Sequence, residues 1–268
     1  MQELVVTQPQ PDGWTDEQLS PWPEGVPRDE GLVREAMDRL ERPGWYVVDV
    51  ADPADAGARE SAHRASAVVA GLARPIKVFG GRPTWRALTS DPRRPAASSG
   101  GVGAQPLHLD FVNAKCPPDL VFLYCLRSDP GGGGASVLSG VEAIEELSQE
   151  ERSVLQRPLY RDGVVENLEE VGEDINPFAV WNPHDRYRLR WTGKLLESTR
   201  EPDARAALRS LRAALEFHEE ELTLRPGQML VVNQRRAVHG RRALGAAFKD
   251  VPRHERRLLM HGFGRWEE

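Results

Sequence analysis

Two histidines and an aspartate have the types and spacing to do chemistry in this chain. His108 and Asp110 stand two apart in "QPLHLDF" (105–111), a run that otherwise reads as buried strand. Imidazoles and carboxylates are costly in an apolar interior unless they are paired or hold a ligand. On a strand, side chains at i and i+2 leave from one face, so this pair could chelate one ion. His239 ends "MLVVNQRRAVHG", a strand-like run entered from Pro226-Gly227, with Val238 and Gly240 as its neighbours. Two imidazoles and a carboxylate on one face leave open positions on an octahedral metal, the pattern of a non-haem Fe(II) oxygenase. Zinc on the same ligands is the rival chemistry. "FHEEEL" holds His218 and Glu220 at the same spacing, but the stretch reads as helix. There, i and i+2 lie roughly 200° apart and cannot converge. His63 falls in the polar stripe of a helix and His184 in a Pro/Asp loop, while His254 and His261 receive no role.

The elements that must position these residues follow from periodicity. "DEGLVREAMDRLERPGW" (29–45) predicts a helix with Leu32, Ala36 and Leu40 on one face, stopped by Pro43-Gly44. "WYVVDV" (45–50) predicts a strand, and 54–73 a second helix. After Pro106 the pattern turns to short strands: "LHLDFV", "DLVFLYCLRS" and, past the breaker "DPGGGG", "ASVLSG". Helices are expected at about 141–156 and 201–220, strands on both sides of Arg225-Pro226-Gly227, and a last strand in "RRLLMHGFGRW". "RYRLRWT" (186–192) also reads as strand, with Arg188 and Arg190 alternating with Leu189. The solvent face of an edge strand competes there with a pocket wall, where Arg190 would meet substrate. Trp181 and Trp191 read as core. Residues 1–27 are expected to form an N-terminal arm, and 86–106 and 157–192 substrate loops or lids. Together these give a mainly β single domain over 1–268 with flanking helices.

Bulk properties narrow the partners. The chain has 268 residues, 28% charged, with net charge −6, which argues against nucleic acid or an anionic membrane. Its end is basic nonetheless, with ten Lys/Arg against four Asp/Glu from Arg225 onward, which suggests local handling of carboxylates. Cys116 and Cys125, nine apart and without a CxxC partner, read as free thiols of a reducing cytoplasm. No signal peptide and no membrane-length apolar run are visible.

"HLD" at 108–110, "GGGGAS" at 131–136 and "LRPGQMLVVNQRRAVHGR" at 224–241, followed by further arginines, resemble the clavaminate synthase-like and taurine dioxygenase-like Fe(II)/2-oxoglutarate oxygenases. The resemblance spans roughly 105–261. It implies a double-stranded β-helix, or jelly roll, with His108, Asp110 and His239 holding Fe(II). It further implies that Arg253, fourteen past His239, binds the distal carboxylate of 2-oxoglutarate, with Arg256 and Arg257 as rivals. A planar guanidinium suits that role because it can meet a carboxylate bidentately. Ser136 stands where the family has a threonine hydroxyl for the same carboxylate, although a turn residue closing the glycine loop is an equal reading. Arg257, four beyond Arg253, corresponds to an arginine that binds the substrate's acidic group in several members. Gln105 could reach substrate from the lid side.

The implied activity couples oxidative decarboxylation of 2-oxoglutarate by O2 to hydroxylation of an unactivated C–H bond. The expected substrate is a small molecule bearing a carboxylate, a free amino acid or its derivative, in specialised metabolism such as antibiotic biosynthesis. Asp110 argues against halogenation, since related halogenases have a small residue there. Desaturation or cyclisation, a non-catalytic binding protein on the same fold, and a zinc hydrolase are the alternatives. No general-base glutamate stands beside the triad for the last of these.

Overall fold

The computed structural model describes residues 30–50, 53–76, 85–162, 171–172, 175, 177–246 and 250–266. The expected arm (1–27) lies outside them, as does 163–170 of the second expected substrate loop.

The N-terminal part follows the pattern read from sequence. Helix α1 (Glu30–Glu41) buries Val33, Ala36 and Leu40; the side chain of Leu32 lies outside the described residues. Gly44 ends the turn after it at φ +110°, a conformation only glycine takes freely, and a Cβ there would stand 3.1 Å from Ala237 Cβ. Strand β1 (Trp45–Asp49), helix α2 (Pro53–Leu72), and the short strands β2 (Arg74–Pro75) and β3 (Arg86–Thr89) follow. The remaining strands are β4 (Gln105–His108), β5 (Leu120–Arg127), β6 (Ser136–Gly140), β7 (Glu220–Leu222), β8 (Gln228–Asn233), β9 (Ala237–Arg241) and β10 (Leu258–Arg265). They form two sheets in which every pairing is antiparallel: β1-β8-β5-β10-β2, with β3 also on β10, and β4-β9-β6-β7.

Alternation sorts each strand between two cores. On β5, Leu120, Phe122, Tyr124 and Leu126 pack with residues of α1 and α2, while Val121, Leu123 and Cys125 face the other sheet. On β10, Leu258 and Met260 join the helix side, and Leu259 and Phe263 the space between sheets. The small sheet is backed by α3 (Gln149–Leu155), α4 (Leu195–Ser198) and α5 (Pro202–Phe217), through Val137, Val238, Leu155, Leu195, Leu208 and Leu211. Trp191 belongs to this backing core, with Trp181 packed against it, as expected.

Three elements depart from the sequence reading. The helix expected over 141–156 breaks in two: a 3-10 segment Val141–Glu146, then α3. Ser148 restarts it with a capping box, accepting the Glu151 N–H at 3.2 Å while the Glu151 carboxylate accepts the Ser148 N–H at 2.8 Å. Helix α5 ends at Phe217, so His218 and Glu220 share no helix; Glu220 begins β7, and His218 lies 2.9 Å from Glu146. "RYRLRWT" is not a strand: it makes isolated bridges at Leu189 and Thr192, and its amides reach different partners, Arg188 N–H to Arg235 C=O and Arg190 N–H to Val180 C=O.

That last segment is tied down by a buried acid. Asp119 is fully buried and accepts from Arg186 (2.8 Å), Arg235 (2.7 Å), the Tyr187 hydroxyl (3.0 Å) and the Trp266 amide (3.1 Å). Burial alone would raise its pKa; Arg235 and Arg186 outweigh that and hold it below the usual carboxylate range. Removing one member of such a cluster leaves the others desolvated without a counter-charge. Asp119→Ala is expected to cost about 3 kcal/mol or more of unfolding free energy in urea titrations.

Candidate metal centre

His108 is the last residue of β4 and Asp110 opens the turn beyond it. The i, i+2 argument assumed a strand running through both. Instead Leu109 N–H donates to Trp191 C=O and Asp110 N–H to the Gln234 side-chain oxygen at 2.7 Å. Phe111 follows at φ +58°. Gln234 is fully buried, and its amide nitrogen donates to Pro118 C=O at 2.9 Å, so both ends of that side chain are fixed. Arg190 completes the turn: buried, it donates to Val112 C=O at 3.1 Å and Ala114 C=O at 2.9 Å. It is therefore not on a solvent face. It braces the turn that carries Asp110.

β9 brings the second histidine. His239 pairs directly with His108, and their ring centroids are 4.6 Å apart. His108 Nε2 is 3.4 Å from Asp110 Oδ1, and His239 Nε2 is 3.5 Å from Asp110 Oδ2. One ligand atom from each of the three residues lies within 4.8 Å of the others. Ligands at about 2.1 Å from a common metal stand about 3 Å apart, so small shifts suffice to close the site. His108 Nδ1 faces Pro106 C=O at 3.0 Å, which assigns its proton there and leaves the Nε2 lone pair toward Asp110, the arrangement a metal-ligating histidine needs. Asp110 Oδ2 and His239 Nδ1 are buried without a hydrogen bond among the described residues. Two imidazoles, one carboxylate and orphaned polar atoms at their meeting point fit a divalent metal.

Gln105 stands three before His108, which on a regular strand would put it on the opposite face. The β4–β9 register shifts between the two residues, and the Gln105 amide nitrogen reaches within 3.2 Å of His108 Nε2. Ser136, Arg241 and Gln105 are cross-strand neighbours one level from the histidines. Ser136 is buried on the face of β6 that carries Leu138 into the inter-sheet core. Arg241 donates to Gly101 C=O at 2.9 Å and Gly103 C=O at 2.8 Å, pinning the 90–104 loop to β9. That loop, expected as a lid, is folded on itself through Asp91 N–H to Gly100 C=O and Gly103 N–H to Ala96 C=O.

The arginines rearrange. Arg253 is exposed on a 3-10 turn (Arg253–Glu255) and does not enter the inter-sheet space. Arg256 donates to Val251 C=O at 2.9 Å. Arg257 is the buried one, 6% exposed, with no hydrogen bond or ion pair among the described residues. Burial, then the Arg241 charge, pushes its pKa down to about 10. The glycine loop makes room for it: a Cβ on Gly134 (φ +73°) would stand 3.1 Å from Arg257 Nε. Asp129 shapes the loop by accepting from the amides of Gly133 at 3.0 Å and Gly245 at 2.6 Å.

The sequence reading missed His261. It lies four beyond Arg257, on the β10 face that carries Leu259 and Phe263 inward, 8% exposed, with Nε2 3.7 Å from Asp110 Oδ2. The signal was present: counting in twos from the buried arginine along "RLLMH" reaches it.

A facial site of two histidines and one carboxylate between antiparallel sheets defines a non-haem metal oxygenase class. Residues 32–262 match the family described as "Taurine catabolism dioxygenase TauD, TfdA family", and the chain belongs to that family. A curated relative, the L-lysine 3-hydroxylase of Catenulispora acidiphila, is 26% identical over 164 residues, covering 55% of this chain and 42% of that protein. The chain thus aligns with less than half of that relative's length. Among solved structures, an asparagine oxygenase in complex with Fe(II), 2S,3S-3-hydroxyasparagine and succinate is similar with TM-score 0.68 and 22% identity, over 88% of this chain and 79% of that one. The non-heme iron oxygenase OrfP in complex with Fe and alpha-ketoglutaric acid is similar with TM-score 0.67 and 19% identity, over 91% and 80%.

Electrostatics of the metal-free cluster give a pH signature. Burial, with the neighbouring histidine charges adding to it, pushes His239 down to about 3; burial pushes His261 down to about 4. His108 goes the other way: burial opposes its proton, but Asp110 outweighs burial and raises the pKa. Asp110 is lowered: burial opposes this, and the histidines, His108 first, overcome it. An unfolded histidine titrates near 6.5, so below that pH the unfolded chain takes protons that folded His239 and His261 refuse. Their contribution is fully present above about 6.5 and is lost as pH falls toward about 4 for His261 and about 3 for His239; His108, raised, acts in the opposite direction. Thermal midpoints of chelator-treated protein should fall from pH 7 to pH 5, and His239→Leu should flatten that slope. An unchanged slope in the variant would contradict the buried neutral histidine.

Proposed function

We propose that this chain is a single-domain Fe(II)- and 2-oxoglutarate-dependent dioxygenase on a jelly-roll core, hydroxylating an unactivated C–H of a free amino acid or amino-acid-derived small molecule. The observation that carries the reading is the half-buried His108–Asp110–His239 cluster together with the buried Arg257, which has no partner among the described residues. The three residues would hold the metal. Bound Fe(II) supplies the activation of dioxygen, with 2-oxoglutarate as co-substrate.

Arg257 takes the role that the spacing assigned to Arg253. Its burial, its unpaired guanidinium and the clearance at Gly134 suit the distal carboxylate of a keto acid. Ser136 would add a hydroxyl from the facing sheet. Gln105, already against the His108 ring, would line the substrate side. The relatives support an amino-acid substrate: one is named for L-lysine, and the solved neighbours hold hydroxyasparagine and, in another OrfP complex, (3S)-hydroxy-L-Arg. Specialised metabolism is the setting these names favour, and free Cys116 and Cys125 suit a cytoplasmic protein. No described helix is long and apolar enough to cross a membrane.

Anaerobic addition of Fe(II) and 2-oxoglutarate should give the weak visible charge-transfer band of the complex, absent in Asp110→Ala. In air, a panel of amino acids should yield succinate and a product heavier by one oxygen, about +16, whereas −2 would mark desaturation or ring closure. No band and no succinate with any panel member would leave a non-catalytic binding protein. Arg257→Gln should weaken 2-oxoglutarate binding about 10–100-fold, the loss of a charged hydrogen-bond pair. Arg253→Gln, at an exposed charge, should change it by less than about twofold. The reverse pattern would restore the assignment from spacing.

A further inference from the structure

His261 is the polar side chain at this site to which the reading above gives no role. Its ring is nine-tenths buried, and neither nitrogen has a hydrogen bond among the described residues. Asp110 Oδ2, 3.7 Å from His261 Nε2, is likewise buried and unpaired. Two buried groups of complementary chemistry therefore face each other across slightly more than a hydrogen bond. His261 is not among the metal ligands, since its nitrogens fall outside the cluster formed by the other three residues.

The ring is held in that position. Its centroid is 4.4 Å from that of Phe263, and Phe263 meets Phe111 edge-on at 5.3 Å. Phe111 is covalently next to Asp110, so the contacts close a loop: Asp110, Phe111, Phe263, His261 and back to Asp110. On the other side, Arg86 of β3 is the direct cross-strand partner of His261, and such partners project from the same face.

We propose that His261 is a positioning residue for the metal site: its Nε2–H donates to Asp110 Oδ2, so that the carboxylate presents Oδ1 to the metal. The assignment rests on the metal reading of the triad. It requires a closure of under 1 Å from the 3.7 Å separation to reach hydrogen-bond range. A carboxylate fixed in this way binds metal as a single oriented oxygen, and outer partners of metal ligands typically contribute 10–100-fold to metal affinity.

The test is metal binding without substrate. Mn(II) affinity would be measured by EPR or calorimetry for wild type, His261→Phe, His261→Gln and Asp110→Ala, alongside thermal midpoints of the metal-free proteins. His261→Phe keeps the ring stack and removes the donor; it should weaken Mn(II) about 10–100-fold while the metal-free midpoint holds or rises. His261→Gln, which restores an N–H, should recover part of the loss and keeps the test open should the phenylalanine variant misfold. Unchanged Mn(II) affinity in both variants overturns the proposal, including the case where amino-acid binding alone falls, which would make His261 a substrate contact. Wild type that binds Mn(II) no better than Asp110→Ala would instead bring down the metal reading itself.

Discussion

The carboxylate of Asp110 is the constraint on which this site depends. Three imidazoles converge on it, at 3.4, 3.5 and 3.7 Å, in a largely buried space that leaves the carboxylate about one-fifth exposed. A buried anion is costly on its own, and buried neutral imidazoles are costly when their nitrogens lack partners. Each group here is tolerable because the others are present, and a divalent metal would satisfy them together. Two side chains and a turn of unusual backbone hold the carboxylate there. Gln234 fixes its amide, Arg190 braces the carbonyls beyond it, and Phe111 adopts positive φ to bring the chain around.

The two sheets divide the chemistry. The small sheet supplies both histidine ligands, the level of Ser136 and Gln105, and the Arg241 tether to the 90–104 loop. The other side supplies Arg257, immediately before β10, and His261 on β10. Alternation therefore does two jobs on that strand. Leu258 and Met260 anchor it to the helices, and the residues between them line the site. A slip of one residue would exchange the two sets, so the apolar side of β10 fixes the register of its polar side.

The sequence made most elements legible because they depend on local rules: alternation, helix stops, and a histidine ending a buried run; His108 and Asp110 come together for another reason, since Asp110 lies in the turn beyond β4. The exposed position of Arg253 has a physical reason. Spacing from His239 counts residues, but the stretch between β9 and β10 is loop and 3-10 turn, where residue count does not fix direction. Arg257 differs in that it stands immediately before β10 and is buried. Arg190 was misread because an arginine between apolar residues looks alike whether it meets solvent, substrate or carbonyls 76 and 78 residues away in sequence. The capping box at Ser148 was readable as "SQEE" and would have split the helix expected there.

His261 shows how one misplacement propagates. With Arg253 taken as the keto-acid arginine, the next inward position of interest is Arg257, and the count stops there. Once burial identifies Arg257 as the first inward cation, the same count of four lands on a histidine against Asp110. In the roles proposed for them, the two residues four apart have different ligands to meet: a full, permanent charge for a keto-acid carboxylate, and a single neutral donor beside Asp110. An arginine at 261 would set a permanent positive charge against Asp110 and compete with the metal for it, whereas an imidazole can orient the carboxylate and leave its negative charge available.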